Sequence, residues 1–313
     1  MIHRLIIDTD TATDDALALL MALSWPDTQV EAVTIVAGNV NFDQQVENAL
    51  YTIELAGMGG EVPVYPGSRQ PLMRPLVSVP EVHGEDGMGN SSYPQAKQRP
   101  ESQHAVDALI ERITAAPGEI TLVAIGPLTN IAMALHREPA IAKQVREVYI
   151  MGGTNQALGN ITPATEYNIW VDPEAAKIVF HSGMSMTMVG WEICTRHAFF
   201  DEAEQTRIRE MDTPKARFFT EINRVIVEFN RVRHGIGGTT HPDSITVVIA
   251  LDPTVATDVR ERHVDVETKG ELTQGMTVVD DLGVLGKAPN LKVCYAADGD
   301  RFREHFFRML ASV

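Results

Sequence analysis

The stretch Leu5-Ile-Ile-Asp-Thr-Asp-Thr-Ala-Thr-Asp-Asp-Ala-Leu-Ala-Leu-Leu20 joins two segments of different structure. It begins with an apolar run, residues 5–7, whose length is typical of a strand buried on both faces of a sheet. It continues into residues 16–23, which are strong helix formers and apolar nearly all round. The stretch therefore predicts a buried strand, a polar turn and a buried helix.

Four carboxylates, Asp8, Asp10, Asp14 and Asp15, lie between this strand and this helix. Two like charges about 4 Å apart repel by roughly 4 kcal/mol at an effective dielectric constant near 20, so a buried cluster requires a cation, shared protons or water. Capping of the helix accounts for Asp14 and Asp15 but not for the other two. We therefore favour a metal site over capping alone, and oxygen ligands fit Ca²⁺ or Mg²⁺ better than zinc.

The composition excludes several classes of protein. The chain has 313 residues, and its formal net charge of -16 argues against a nucleic acid as partner. The two cysteines, Cys194 and Cys294, lie in apolar contexts and indicate no disulfide framework, so we expect a cytoplasmic protein. Met1 stands close to the first predicted strand and no apolar run has the length of a membrane span. We therefore expect neither a signal peptide nor a membrane partner.

Strand and helix signals alternate along the chain, which predicts an α/β fold with an open, mostly parallel sheet and helices on both faces. We expect a single domain over residues 1–313, with a small antiparallel hairpin at residues 264–279 that turns at Lys269-Gly270. The predicted strands are residues 5–7, 30–36, 62–65, 120–125, 145–151 and 184–189. The predicted helices are residues 16–23, 42–56, 104–115, 128–135, 173–181, 201–233 and 301–310.

Polar residues follow several of these strands. Asp10, Asn39, Ile125-Gly126 and residues 151–153 each stand where a predicted strand ends, and ligands of parallel sheets bind at that edge. Residues 66–100 are rich in Pro, Gly and Ser without a clear period, and a loop of this length is typically functional. We expect it to form an active-site loop or lid.

Several polar blocks follow one another along essentially the whole chain. They are Asp8-Thr-Asp-Thr-Ala-Thr-Asp-Asp-Ala16, Gly38-Asn39-Val40, Val82-His-Gly-Glu-Asp-Gly-Met-Gly89, Ile125-Gly-Pro-Leu-Thr-Asn130, Met151-Gly-Gly153, Thr162-Pro-Ala-Thr-Glu-Tyr-Asn168 with Asp172-Pro-Glu174, and His241-Pro-Asp243. In this order the blocks resemble those of the calcium-dependent inosine-uridine-preferring nucleoside hydrolases, which have a Rossmann-like fold.

The resemblance implies a role for each residue of the site. Ca²⁺ would be bound by Asp10, Asp15, Asp243 and the backbone carbonyl of Ile125. The ribose of a small-molecule ribonucleoside would be held by a second group, with Met151 packing nearby. This group consists of Asp14, Asn39, Asn160, Glu166 and Asn168. Taken alone, Asn39 and Asn168 would also fit ordinary turn positions, and Glu166 would fit a surface acid.

The residue types suit cleavage of an N-glycosidic bond, which builds positive charge on the ribosyl ring. A carboxylate-rich pocket stabilises that charge more than it stabilises the neutral substrate. In the mechanism that the resemblance implies, calcium lowers the pKa of its bound water and Asp10 takes the proton as general base. His241 is the candidate proton donor to the leaving base, and His83 is a second candidate contact near the base.

One motif departs from the family pattern. Many members have a histidine directly followed by the metal-binding aspartate, whereas Pro242 stands between His241 and Asp243 here. The histidine therefore has two open roles, as general acid or as a structural or base-contacting residue. The family resemblance also implies a homodimer or homotetramer, and it allows residues 221–234 to form a mobile wall over the base rather than a solvated helical face.

Two other functions compete with this interpretation. Asp8-Thr-Asp10 after an apolar strand superficially resembles Mg²⁺-dependent phosphatases of the haloacid dehalogenase type, and Asp298-Gly-Asp300 would then be their distal acidic motif. That alternative gives no role to the Asp14-Asp15 pair or to the other blocks. A non-catalytic protein that binds nucleosides or ribose is the second alternative, and the set of metal ligands with a candidate proton donor argues against it.

Overall fold

A computed structural model of the protein describes residues 2–156 and 158–312. The strands are β1 (His3–Thr9), β2 (Thr28–Ile35), β3 (Val64–Pro66), β4 (Ile120–Ala124), β5 (Glu147–Met151), β6 (Met186–Val189), β7 (Phe199–Asp201), β8 (Gly238–Thr240), β9 (Ala256–Arg262), β10 (Val264–Val266), β11 (Thr277–Val279) and β12 (Leu291–Ala297). The helices are α1 (Thr13–Ser24), α2 (Phe42–Leu55), α3 (Pro80–His83), α4 (Ala105–Ala115), α5 (Thr129–Arg137), α6 (Tyr167–Val171), α7 (Pro173–Phe180), α8 (Trp191–His197), α9 (Glu202–Glu210), α10 (Pro214–Ile222), α11 (Arg224–His234), α12 (Pro242–Leu251) and α13 (Gly299–Ala311).

The main sheet has eight strands in the order β3-β2-β1-β4-β5-β6-β12-β9. All neighbours pair in parallel except β12 and β9, which pair antiparallel at one edge. The predicted mostly parallel α/β sheet is therefore confirmed. The predicted small hairpin is confirmed as well, because β10 pairs antiparallel with β11, and residues 267–276 connect the two strands.

Strand β1 lies inside the sheet and contributes to the core on both faces. Leu5 and Ile7 pack in one hydrophobic cluster and Ile6 packs in the other, because successive side chains of a strand point to opposite faces. The first cluster includes residues of α1, α2, α8, α10, α12 and α13. The second includes residues of α4, α5 and α7, so helices cover both faces of the sheet as predicted.

Helices α1 and α12 are the most deeply buried helices around the site, and they pack against each other. Every residue of α12 is buried, and so are the residues of α1 from Asp15 to Ala22. Asp14 and Asp15 lie in the first turn of α1, and Asp243 lies in the first turn of α12. Since a helix N-terminus carries partial positive charge, both helices stabilise negative charge where these aspartates stand.

Several elements differ from the sequence prediction. Helix α12 was not predicted, because its all-round burial hides any amphipathic period. Residues 201–233 form three helices rather than one, since Asp212 adopts a left-handed conformation (φ 51°) and Thr213 caps the next helix. Strands β9 and β12 were not predicted, and β9 is mostly exposed and charged, which hides the alternation expected of a strand.

The long segment of residues 66–100 contains one short helix, α3, and otherwise irregular structure. It is ordered by its own polar groups, since the Asp86 carboxylate accepts hydrogen bonds from the backbone N–H groups of Met88, Asn90 and Ser92. Within residues 2–156 and 158–312, no helix has the combination of length and apolar character that a membrane crossing needs.

Candidate active site

The site lies at the C-terminal end of β1, where the chain turns into α1. Asp8, the first of its carboxylates, is fully buried and accepts hydrogen bonds from the Thr34 hydroxyl (2.6 Å) and the Asn130 side-chain amide (2.9 Å) at Oδ2. Burial raises the pKa of Asp8 to about 7, and these two bonds oppose the rise. Asp8 thus ties β1 to β2 and α5 beneath the site.

Asp10 follows β1 and is held in a cradle of two glycines. A Cβ atom on Gly38 would lie 1.9 Å from its Oδ2, and one on Gly126 would lie 2.9 Å from its Oδ1. The Asn39 backbone N–H donates to Oδ2 (3.0 Å), while Oδ1 is buried and has no hydrogen-bond partner within the described parts of the chain. Burial and the neighbouring Asp15 and Asp14 raise the pKa of Asp10 well above its usual range.

Asp15 is fixed by three donors. The Thr9 hydroxyl donates to Oδ1 (2.6 Å), and the Ala12 backbone N–H (3.0 Å) and the Asn39 side-chain amide (3.2 Å) donate to Oδ2. The bond from Ala12 shows that Asp15 also serves the start of α1, as the capping interpretation requires. Burial is the main cause that raises the pKa of Asp15 to about 6, followed by the charge of Asp14.

The carboxylates of Asp14, Asp15 and Asp243 converge, with one oxygen from each within 4.8 Å of the others. Burial raises the pKa of Asp14 to about 6, and burial together with the charges of Asp14, Asp15 and Asp10 raises the pKa of Asp243 well above its usual range. Three acids at such distances, of which Asp15 and Asp243 are buried and Asp14 is half-buried, form a group that can hold a metal ion, since a cation compensates charges that burial otherwise disfavours. The group contains two predicted metal ligands, Asp15 and Asp243, together with Asp14, which was predicted to hold the ribose, whereas the predicted ligand Asp10 lies outside it.

The predicted ligand carbonyl of Ile125 lies beside Asn168. The side-chain amide of Asn168 donates to the Ile125 carbonyl (3.1 Å) and to the Met151 carbonyl (3.3 Å), so it joins the ends of β4 and β5. Glu166 is 2% exposed and caps α6 by accepting from the backbone N–H groups of Asn168 and Ile169. It is therefore not a surface acid, and burial raises its pKa to about 7.

Two further predicted site residues differ in burial, since His83 is buried and Asn160 is exposed. The His83 Nδ1 atom is 2.7 Å from the Thr13 hydroxyl and 3.8 Å from Asp14 Oδ1, so the structure brings His83 to the carboxylate cluster. Burial lowers the pKa of His83 to about 4. Asn160 is exposed, and its Oδ1 accepts from the Tyr167 backbone N–H (2.8 Å), a contact that orders the turn before α6.

His241 is enclosed by aromatic rings. The imidazole lies 4.8–5.2 Å, between ring centroids, from Phe200, Phe219 and Phe306, and its Nε2 is 2.9 Å from the Thr239 hydroxyl. Burial lowers its pKa to about 3, so the ring is neutral at pH 7. Its Nδ1 is buried and makes no hydrogen bond to any residue that the structure describes.

Pro242 is the first residue of α12 and His241 is its N-cap. Proline suits this position because its missing N–H would have no partner inside the helix and its φ angle is already helical. Asp243 therefore lies in the first turn of the helix, and its position does not depend on the orientation of the histidine side chain.

Sequence reasoning missed two side chains that donate hydrogen bonds to the carboxylate of Asp8. Asn130 contacts Asp8, the Ile35 carbonyl (3.0 Å) and the Ser68 backbone N–H (2.8 Å), although its position in a helix suggested no special role. The one signal was its place in the block that begins at Ile125. Thr34 was also missed, and a hydroxyl within an otherwise apolar strand end was the available sign.

Comparison with known proteins identifies the family that has this site. A family model described as inosine-uridine preferring nucleoside hydrolase matches residues 5–304. The chain belongs to this family. It is similar to the inosine-uridine preferring nucleoside hydrolase of Leishmania major, with 40% identity over 304 residues that cover 96% of this chain and 95% of the relative. It is also 37% identical to the pyrimidine-specific ribonucleoside hydrolase RihA of Enterobacter sp. (strain 638), over 98% of this chain and 96% of that protein.

Solved structures of nucleoside hydrolases have the same fold. A plant nucleoside hydrolase superposes with a TM-score of 0.93 at 32% identity and covers 99% of both chains. A purine-preferring ribonucleoside hydrolase from Gardnerella vaginalis gives 0.90 at 30% identity and covers 98% of both. The predicted family, ribonucleoside hydrolase activity and nucleoside substrate are thus confirmed, and the phosphatase alternative is excluded. Asp298 of the supposed distal motif caps helix α13 instead.

The glycine cradle of this nucleoside hydrolase makes a first prediction. Gly38→Ala places a methyl group on the Asp10 carboxylate and displaces it, and a displacement of about 1 Å at a reacting group costs on the order of 10²-fold in rate. We expect kcat/KM for ribonucleosides to fall by about that factor while the melting temperature shows a folded protein. Gly59→Ala is the control, because its Cβ would meet the flexible Glu54 side chain at 3.1 Å. Unchanged activity in Gly38→Ala would show that Asp10 needs no such cradle.

Proposed function

We propose that the chain hydrolyses ribonucleosides to free base and ribose with Asp10 as general base, at a Ca²⁺ site formed by Asp10, Asp15, Asp243 and the Ile125 carbonyl. The observation that carries this proposal is the convergence of the Asp14, Asp15 and Asp243 carboxylates at the first turns of α1 and α12, close enough to Asp10 for its charge to act on Asp243. The established reaction builds positive charge on the ribosyl ring, and buried carboxylates stabilise that charge as it develops.

The geometry of Asp10 supports its role as the base. One carboxylate oxygen is anchored by the Asn39 backbone N–H, and the other is buried and bonded to none of the residues that the structure describes, so it is free to accept a proton from a water molecule. Burial raises its pKa, which makes Asp10 a stronger proton acceptor than an exposed aspartate. The glycine cradle holds the carboxylate in one place, so the proton would be accepted at a fixed position.

The side chains fit a hard cation. The clustered donors are carboxylate oxygens, and the Ile125 carbonyl would add a further oxygen, which gives an all-oxygen set of the kind that Ca²⁺ prefers. A bound Ca²⁺ would supply positive charge that offsets the repulsion between the carboxylates, orients the ribose hydroxyls and acidifies a neighbouring water. Asp14 lies close enough to share in binding the ion or the ribose, and we assign it to the ribose.

The ribose subsite that we propose consists of side chains at the strand ends. They are Asp14, Asn39, Asn160, Glu166 and Asn168, with Met151 packing nearby. Asn39 bridges Asp10 and Asp15, and Asn168 bridges the ends of β4 and β5, so both present their amides from fixed positions. Asn160 lies at the exposed side of this group, where it would reach the part of the sugar that is farthest from the carboxylates.

The departing base needs a proton, and two histidines are candidates for its donor. We retain His241 as the first candidate and His83 as the second. The aromatic surroundings of His241 disfavour its charged form, so it would donate only after it gains a proton in the substrate complex. His83 stands directly beside Asp14 and is the better placed of the two with respect to the carboxylates.

We also propose that residues 1–313 form one domain, that the protein is cytoplasmic and that it assembles as a homodimer or homotetramer. The main sheet supports one domain, because it includes both β1 near the start of the chain and β12 near its end. Both cysteines are free and buried, which suits a reducing compartment. Sedimentation of the purified protein would test the oligomeric state.

The ribose subsite predicts discrimination against deoxyribonucleosides. A site built around a buried hydroxyl rejects a substrate without it by about 10⁴-fold or more, because the site's polar groups are left unpaired. We therefore expect kcat/KM for 2′-deoxyinosine to be lower than that for inosine by that order. A panel of purine and pyrimidine ribonucleosides, assayed for free base and ribose with deoxyribonucleosides as controls, makes this measurement. Comparable values for both sugars would contradict the assignment of Asp14 and the metal to the ribose hydroxyls, and no turnover of any nucleoside would favour a binding protein.

The metal assignment predicts one Ca²⁺ per chain. We expect elemental analysis to find stoichiometric calcium, a chelator to abolish activity and added Ca²⁺ to restore it. Asp10→Ala should lose both calcium affinity and activity, whereas Ile125→Thr should leave both nearly unchanged because the ligand is a backbone carbonyl. Stoichiometric zinc without calcium would refute this assignment.

The proton donor can be identified by comparing two substrates, one whose leaving group needs a proton and one whose leaving group does not. If His241 donates the proton, His241→Ala should slow natural ribonucleosides by about 10²–10⁴-fold but leave p-nitrophenyl riboside nearly unaffected, because nitrophenolate departs without a proton. His83→Ala is the parallel variant. Equal losses on both substrates would indicate that His241 supports the fold or Asp243, and a selective loss in His83→Ala alone would assign the role to His83.

A further inference from the structure

Helix α11 stands out by its weak hydrophobic attachment. None of its residues from Arg224 to His234 is buried, in contrast to α12, in which every residue is. Yet α11 packs against α3, the short helix that carries His83 to the carboxylate cluster. An element with so little apolar burial opens at low cost, so its polar contacts decide where it rests.

Polar contacts hold α11 in both halves: Asn230 donates to the Gly238 carbonyl (2.8 Å), and Arg224, the first residue of the helix, makes the contact on the side of α3. The Arg224 guanidinium donates two hydrogen bonds through Nη2, to the carbonyls of Gly89 (2.8 Å) and Asn90 (3.1 Å). Both carbonyls belong to the loop of residues 84–92, which also approaches the end of α10, because a Cβ on Gly89 would lie 2.4 Å from the Ile222 carbonyl. Tyr93, the residue after this loop, donates a hydrogen bond from its hydroxyl to Glu221 of α10. The start of α11 is thus fastened to the loop of residues 84–92.

This loop is in turn fixed to the carboxylate site. Its shape is set by Asp86, which accepts three backbone N–H groups at 2.8 Å each. The buried Asn48 side chain donates to the Asp86 carbonyl (2.9 Å) and to the Thr11 carbonyl (3.1 Å), in the turn between Asp10 and Asp14. The Gly89 backbone N–H also donates to the His83 carbonyl (2.9 Å). Arg224 therefore connects α11 to a loop whose position relative to the acidic turn is already determined.

We propose that Arg224 is a positioning residue, which fastens α11 to the loop of residues 84–92 and so sets the wall of the site on the side of His83. The carboxylates and amides at the strand ends are held by bonds that do not involve Arg224. The inference rests on one part of the proposed function: the ribose is bound by these carboxylates and amides, and the base lies on the side of His83. Loss of Arg224 should then weaken binding of the base and leave binding of the sugar unchanged.

Arg224→Met tests this proposal, because methionine keeps an extended apolar side chain and removes both donors. Arg209→Met is the matched control, since Arg209 lines the same surface cavity but donates to Thr206 rather than to the loop. We expect Arg224→Met to raise KM for the best ribonucleoside by about 10-fold, the effect of losing charged hydrogen bonds. The inhibition constant of free D-ribose should stay the same, and Arg224→Lys should restore part of the loss because its ammonium can donate to the same carbonyls.

Hydrogen–deuterium exchange gives a readout that does not depend on activity. In Arg224→Met the amides of α11 should exchange faster, while those of β1 and α1 should not change, and Arg209→Met should match the parent protein. An unchanged KM, an equal weakening of D-ribose inhibition, or unchanged exchange in α11 would each overturn the proposal. If the parent protein hydrolysed no ribonucleoside, the proposed function would fail, and the exchange experiment would still decide the role of Arg224.

Discussion

The structure depends on the burial of several carboxylates at one point. Such burial is costly, because each charge loses its hydration and repels its neighbours. The fold offsets the cost with helix N-termini and with donors aimed at single oxygens, including the Thr9 hydroxyl on Asp15 and the Asn39 backbone on Asp10. Raised pKa values throughout the cluster show that these donors are not sufficient by themselves. The cluster is therefore complete only with a cation, or with protons in its place.

The positions of the acids follow from how the chain packs. Two helices that are apolar nearly all round, α1 and α12, have to be buried, and they pack against each other beside the sheet. Their first turns consequently meet near the end of β1, and each carries an aspartate there. Residues more than two hundred positions apart in sequence thus reach one site because of apolar burial, and the polar chemistry is a result of that packing.

The sequence predicted the structure best where the local pattern of apolar and polar residues matches the burial of those residues in the fold. The β1–α1 unit, the parallel order of most strands and the acidic turn were predictable, because buried runs and strand-end polar residues carry their own signal. The exposed strand β9 and the buried helix α12 were not, since both lack the expected periodicity. The surroundings of His241 were also beyond prediction, because Phe200, Phe219 and Phe306 come from separate elements that only the tertiary fold brings together. The same holds for Asn130, whose partners lie on β1, β2 and a loop.

The proline between His241 and Asp243 has a consequence for how such a site can evolve. Because Pro242 takes the first position of α12, the aspartate is delivered by the start of a buried helix, and the histidine stands outside that helix as its N-cap. The two side chains are neighbours in sequence but are constrained by different parts of the molecule. A substitution at position 241 can therefore change the contacts of that side chain without moving the acid that the helix contributes. One imino acid thus separates a side chain that a buried helix positions from a side chain that the surrounding aromatic rings position.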